Sequence, residues 1–243
     1  MQTYNRTKTV IALVMAVFML ASFTGCAGLA QLISPTPTPS PTPTATPEPL
    51  IRKEGMPITF GQMSGNSYVN EYFDVAVDLD DLWFTEDTKH LDEINGFAGE
   101  VPYSEREQAY SDLLNNGNMV REFYAHSHTG LKAISIDIYD YSQVPDQYPD
   151  IFMHYISGTL KITQGLKDQG YSILNGVNSS TTIAGETQYC FYFSYEKNGT
   201  VWNCAYVLMN RDKYVMSILF SSMVTNHVDE TIGFFHKPVQ KAV

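Results

Sequence analysis

The stretch Phe191-Tyr192-Phe193-Ser194-Tyr195-Glu196-Lys197-Asn198-Gly199-Thr200-Val201-Trp202-Asn203-Cys204 decides the fold. Two runs rich in aromatic and β-branched residues flank an Asn-Gly pair, the dipeptide that most readily takes the positive φ angles of a tight hairpin. Outward from it, strand-like runs recur at 171–174, 181–184, 186–196, 201–210 and 213–222, with Arg211-Asp212 as a further turn. Strands joined by tight turns must run antiparallel, so the last third of the chain reads as a meander.

Toward the N-terminus, Pro149 and Asp150 open a long helix to about Gln169, with Phe152, Ile156 and Leu160 as its apolar stripe and Gly170 as its stop. Gly158 and Gly165 each weaken that helix by about 1 kcal/mol relative to Ala, a cost consistent with close packing on a sheet. Strands at 120–126 and 131–141 flank the turn Ser127-His128-Thr129-Gly130. Ile134, Ile136 and Ile138 line one face of the second strand; Ala133, Ser135 and Asp137 line the other. A helix is expected over 85–94, stopped at Asn95-Gly96. A second is expected from the capping-box spacing of Ser104 and Glu107, with Ala109, Tyr110, Leu113 and Leu114 before the stop at Asn116-Gly117. The run 72–79 alternates, placing Phe73, Val75, Val77 and Leu79 on a buried face, and pairs most simply with 58–60 or 68–69; a last helix covers 228–235. Well-separated helices must cover the apolar faces of the sheet. The fold class is therefore α+β, an α/β/α sandwich on one central antiparallel sheet.

The other decisive stretch is Phe23-Thr24-Gly25-Cys26. Arg6 and Lys8 precede an apolar run from Val10 to Phe23, the layout of an export signal too short and too early for a spanning helix. Small residues and a cysteine close that run, which resembles the lipobox of bacterial lipoproteins, and the resemblance implies cleavage before Cys26 and a lipid, such as palmitate, carried by it. An ordinary signal peptide cut near Ala27 or Ala30, or an uncleaved anchor, is the alternative. Residues 34–49 are a Pro/Thr/Ser repeat that favours extended polyproline II, a stalk of about 45 Å at roughly 3.1 Å per residue. The expected organisation is a signal peptide (1–25), a lipidated Cys with a Pro/Thr-rich linker (26–55) and one globular domain (56–243).

The chain is 44% hydrophobic with 16 Tyr and 13 Phe, enough for the domain to bury its own core. Acidic residues number 26 against 15 basic, and Arg6 and Lys8 leave with the signal, so nucleic acid is not an expected partner. Membrane contact is expected through Cys26 alone, at the outer face of the bacterial cytoplasmic membrane.

With Cys26 assigned to lipid, Cys190 and Cys204 remain, on partnered strands. A three-residue loop ending at Gly199 places them diagonally on one face, near the limit of disulfide reach; a two-residue loop places them on opposite faces as buried thiols.

The segment Gly65-Asn66-Ser67-Tyr68-Val69-Asn70-Glu71-Tyr72-Phe73, followed by Leu79, Asp81 and Trp83 and then by Leu91 to Gly96, resembles the opening of lipoproteins from Gram-positive bacteria that are similar in turn to the PsbP/Mog1-like family. That resemblance implies an α/β/α sandwich and a non-enzymatic accessory or binding role. It brings no active-site residues. The pattern expects Gly where Asp74 stands, and Pro and Gly where Asp80 and Leu82 stand.

Candidate chemistry is sparse. His126 and His128 alternate on one strand face with Asp137 on the partner strand, a partial Zn ligand set; two polar residues near a solvated hairpin end are the plainer reading. Asp78, Asp80, Asp81, Glu86 and Asp87 surround Trp83 without the spacing of a Ca²⁺ loop, which favours a solvated acidic edge. Ser194 and Lys197 match Ser-x-x-Lys by letter, but on a hairpin and without a companion Lys-Thr-Gly. Tyr189, Tyr192, Tyr195, Trp202 and Tyr206 crowd one hairpin. Exposed, they form a stacking surface for sugars or a protein; buried, they are core with satisfied hydroxyls, as a sheet covered on both faces requires. The function expected is a surface-anchored binding or accessory module of the envelope, with an envelope protein or wall polymer as partner and no cofactor. The alternatives are a metal-dependent envelope hydrolase and a structural spacer.

Overall fold

The computed structural model describes residues 57–143 and 151–239. The expectations for the signal, Cys26, the stalk and the helix start at Pro149 and Asp150 lie outside the described residues. Strands β1 (Gln62–Ser64), β2 (Ser67–Asn70), β3 (Val75–Asp78) and β4 (Trp83–Thr85) lead into helices α1 (Thr88–Ile94) and α2 (Tyr103–Asn115). Strands β5 (Val120–Ser127) and β6 (Lys132–Asp140) precede the long helix α3 (Ile151–Asp168). Then come β7 (Ser172–Ile183), β8 (Glu186–Lys197), β9 (Thr200–Arg211), β10 (Tyr214–Met223), α4 (Val228–Ile232) and β11 (Phe235–His236).

The fold is α+β and its pairings are antiparallel. A seven-stranded sheet in the order β4-β5-β6-β10-β9-β8-β7 forms the middle layer. A small sheet, β1-β2-β3-β11, joins the helices in one outer layer. Alternation in the middle sheet feeds two cores. On one side Phe123, Ile134, Ile136, Ile138, Val207 and Phe220 meet Tyr68, Phe73, Val75 and Val77 of the small-sheet segment, Leu114 of α2 and Ile232 of α4. On the other, Phe193, Tyr195, Trp202, Leu208 and Val215 meet Tyr155 and Leu166 of α3.

The expected buried face of 72–79 is as read: Phe73, Val75, Val77 and Leu79 all lie in the first core, and β2 pairs with β3 at Tyr68 and Val77. Asp74, where the resemblance expects Gly, holds φ at +56°, in the region that favours Gly. Between β8 and β9 the loop is the two-residue Asn198-Gly199 at φ +54° and +78°. Cys190 therefore sits in one core and Cys204 in the other, both as free thiols.

Several local expectations are corrected. Thr85 belongs to β4, and α1 starts later, capped by Asp87, whose carboxylate accepts the His90 amide at 2.8 Å. The capping box does not form, because Ser104 lies inside α2 behind Pro102. The stop at Asn116-Gly117 is as expected: the amides of Gly117 and Asn118 return to the carbonyls of Leu114 and Leu113. The two short runs at 171–174 and 181–184 are parts of one strand, β7, whose polar middle is held by its ladder to β8. The last helix ends at Ile232, and Phe235 pairs with Val77 in the small sheet. On α3, Leu160 and Phe152 are exposed, and the buried stripe is Tyr155, Thr159 and Leu166. Gly158 faces Tyr206, while the space beside Gly165 is open.

Candidate functional site

His126 lies near the end of β5 and His128 in the turn after it, both against the exposed ring of Phe84, with ring centroids 5.8 and 4.7 Å away. Asp137 is not with them. It sits opposite Arg121 and binds that guanidinium through Nε at 2.7 Å and Nη2 at 3.0 Å, whereas His126 sits opposite Ala133, about 13 Å further along β6 at the rise of a strand. Among the described residues no three His, Cys, Asp or Glu side chains converge on a point that could hold a metal. Two members of the acidic run are engaged locally: Asp78 accepts from Ser67 at 2.6 Å and faces His236 at 2.9 Å, contacts that hold its carboxyl below the usual range, and Asp80 accepts the Leu82 amide. Ser194 donates to Asn175 Oδ1 at 2.8 Å from mid-strand, and Lys197 donates to the Gln169 carbonyl over the Tyr171 ring, so the Ser-x-x-Lys letters carry structural bonds.

The aromatic set divides between the two faces. Tyr195 and Trp202 are buried and stacked at 5.2 Å, Tyr189 stacks on Tyr155 of α3 at 5.4 Å, and Tyr206 lies in the same core. Tyr192 points the other way and donates to Asp229 at 3.3 Å. At the inner flank of α3, His154 Nε2 lies 2.7 Å from the Tyr139 hydroxyl. Burial, and then the charge of Lys161, pull the His154 pKa down to about 4, so the ring beside that hydroxyl is neutral.

Two buried polar clusters escaped the sequence reading. Glu122 occupies the β-bulge between Arg121 and Phe123. There Tyr68 Oη and, at 3.0 Å, Asn70 Nδ2 donate to its Oε2, while Asn70 Oδ1 accepts the Phe73 amide at 2.9 Å. Burial raises the Glu122 carboxyl to about 7, against the lowering effect of these donors. Asp92 of α1, fully buried, accepts from Tyr110 Oη at 2.6 Å, the Val101 amide at 2.8 Å and Arg106 Nη2 at 3.4 Å, tying α1 to α2. The one sequence signal for the first cluster is the charged pair Arg121-Glu122 set between the apolar Val120 and Phe123 of β5.

The surface with most left to bind is the margin of the large sheet formed by β7 and α3. Among the described residues β7 pairs with β8 alone, and none of its twelve residues is charged. Leu174 and Val177 on the strand are 53% and 46% exposed, and Phe152 and Leu160 on α3 are 45% and 65% exposed. At the strand's C-terminal end a shallow groove of about 360 Å³ is lined by Ser180, Thr181, Thr182, Thr187, Asp229 and Ile232. Among the described residues no further strand pairs along this edge, and its outward backbone groups, hydroxyls and apolar side chains equip the margin for binding an extended chain.

No family model matches the chain, and no curated protein is similar to it in sequence. Solved structures are similar in fold. The solution structure of cyanobacterial PsbP (CyanoP) from Synechocystis sp. PCC 6803 is 12% identical, with a TM-score of 0.42 over 79% of this chain and 100% of that one. A crystal structure from Bacteroides thetaiotaomicron is 11% identical, with a TM-score of 0.33 over 73% of this chain and 50% of its own. LpqN, involved in cell envelope biogenesis of Mycobacterium tuberculosis, is 12% identical, with a TM-score of 0.31 over 68% of this chain and 83% of its own. At these identities and scores none of them carries a site or an activity to this chain.

Proposed function

We propose that this chain is a lipid-anchored surface protein whose folded body serves the cell envelope as a non-enzymatic binding or accessory module. The observation that carries the reading is the order of parts along the sequence: a charged start, an apolar run, Cys26, a Pro/Thr stalk, and a body in which the first described strand begins at Gln62. Cys190 and Cys204 are enclosed in separate cores, so Cys26 is the cysteine left for lipid. A diacyl anchor holds durably, and the stalk sets the body away from the bilayer. One feature favours an interaction module within a larger envelope assembly: both faces of the large sheet bear apolar cores, and the surface richest in binding groups is an edge rather than a cavity.

Labelled palmitate tests the anchor. It should enter the wild-type chain and not Cys26→Ala, which should also leave the membrane fraction. Equal labelling of both would overturn the anchor. For the accessory role, the folded body should retain an envelope protein or wall polymer from cell-wall extracts; retention of neither counts against it.

A further inference from the structure

Of the stripe that the sequence of the long helix marks most strongly, Phe152 and Leu160 are left exposed, while Ile156 between them is half-buried against the second core. His154 meets Tyr139 of β6 and Gly158 meets Tyr206 of β9, so that flank of α3 faces the inner strands. At about 100° per residue, Phe152, Ile156 and Leu160 fall on the opposite flank, toward the free side of β7. Below them runs an edge strand of twelve residues without Lys, Pro or any charge, the devices that ordinarily keep such an edge from pairing. Its one irregularity is the register shift between Ile173 and Asn175, near its start.

We propose that β7 pairs antiparallel with β7 of a second copy of this chain, making one continuous sheet, and that the Phe152–Ile156–Leu160 flanks of the two α3 helices pack against each other across the two-fold axis. Geometry favours this occupant. A two-fold axis normal to the sheet makes the strands antiparallel and keeps both helices on the same face. Helix α3 lies over β7 and β8. With strands about 4.8 Å apart, its axis stands roughly 5 Å from the dyad, so the two helices come about 10 Å apart, the separation at which packed helices interlock. Tyr155 stacks on Tyr189, opposite Ser180, while Tyr171 meets Tyr195, so α3 runs antiparallel along β7 and its stripe follows the edge.

Charge favours it too. The chain carries 26 acidic residues against 15 basic, so copies repel through most of their surface, but not along this neutral strand. Both ends of the strand carry mixed signs, Lys167 and Asp168 at one and Glu186 and Lys237 at the other. The proposal rests on the anchoring reading in one respect only: copies tethered to one membrane by stalks meet at raised effective concentration, so modest affinity suffices.

The full chain carrying Cys26→Ala, free of lipid, should sediment mainly as a dimer at about 100 µM, well above a micromolar dissociation constant. Leu160→Lys and Val177→Lys, both at exposed positions, should weaken the dimer about tenfold or more with unchanged circular dichroism. On membranes, Leu160→Cys in the lipidated chain, at the most exposed position of the stripe, should link copies through a short bismaleimide, while Glu107→Cys on α2 should not. A monomer at that concentration overturns the proposal, whether or not another protein occupies the edge, and so does a dimer indifferent to both Lys substitutions. Because the solution measurement uses unlipidated chain, failure of palmitate labelling leaves its result intact.

Discussion

Tyr68 Oη donates its hydrogen bond to Glu122 Oε2 and thereby joins the small sheet to the large one through a fully enclosed carboxyl. Nothing in the spacing of these residues, 54 positions apart, announces the pair. Its consequences are measurable because the carboxyl is costly to ionise where it sits.

Burial raises the Glu122 pKa from 4.5 to about 7, so the folded state holds this proton more tightly than the unfolded chain does. The associated stability is fully present below pH 4.5 and is lost as pH rises through about 7, by roughly 3 kcal/mol. Urea unfolding of wild type and Glu122→Gln across pH 4 to 8 should show the wild type losing stability relative to the variant over that window. Parallel curves would contradict the assignment.

Gly61 lies against the Tyr68 ring, and a Cβ there would overlap the aromatic carbons. Because Tyr68 is enclosed and bonded to Glu122, it has little freedom to yield. Gly61→Ala should cost about 1–3 kcal/mol, read as a lower urea midpoint.

Asp137 holds Arg121 through both guanidinium contacts, and both side chains are nearly enclosed. Asp137→Ala takes the two-point carboxylate contact from a buried cation and should cost roughly 3–5 kcal/mol. His126→Ala, at a half-buried position by the hairpin end, should cost less than about 1 kcal/mol. Thermal melts of the two variants separate a structural role for Asp137 from a shared ligand set.

Cys190 and Cys204 are free and enclosed, and burial pushes the Cys204 thiol up to about 12 and that of Cys190 higher. In the lipidated chain neither should react with a thiol reagent under native conditions, and both should react in guanidinium. A third reactive thiol in the denatured membrane-extracted chain would mean that Cys26 is unmodified.

Much of the architecture was legible because its signals are local. Alternation in 72–79 and 131–141, and the Asn198-Gly199 pair, depend on residues within a few positions of each other, and the structure contains those strands and that turn. The sequence of β7 reads as two pieces because Asn175 to Ser180 have low strand preference alone and are extended through pairing with β8. For His126, His128 and Asp137, alternation tells which face Asp137 and His126 share, but not that register sets them apart along the strands.

The sequence alone determined the α+β class, the antiparallel meander, most turns and the division into leader, stalk and body as expectations, since period, turn residues and composition are properties of short segments. Tertiary structure decided which of the two apolar stripes on α3 is buried, that Cys190 and Cys204 belong to different cores, and that Glu122 lies between two sheets. The physical reason is that burial is a relation to what packs opposite. Tyr155 and Leu166 find partners in the second core, and Phe152 and Leu160 are left facing outward.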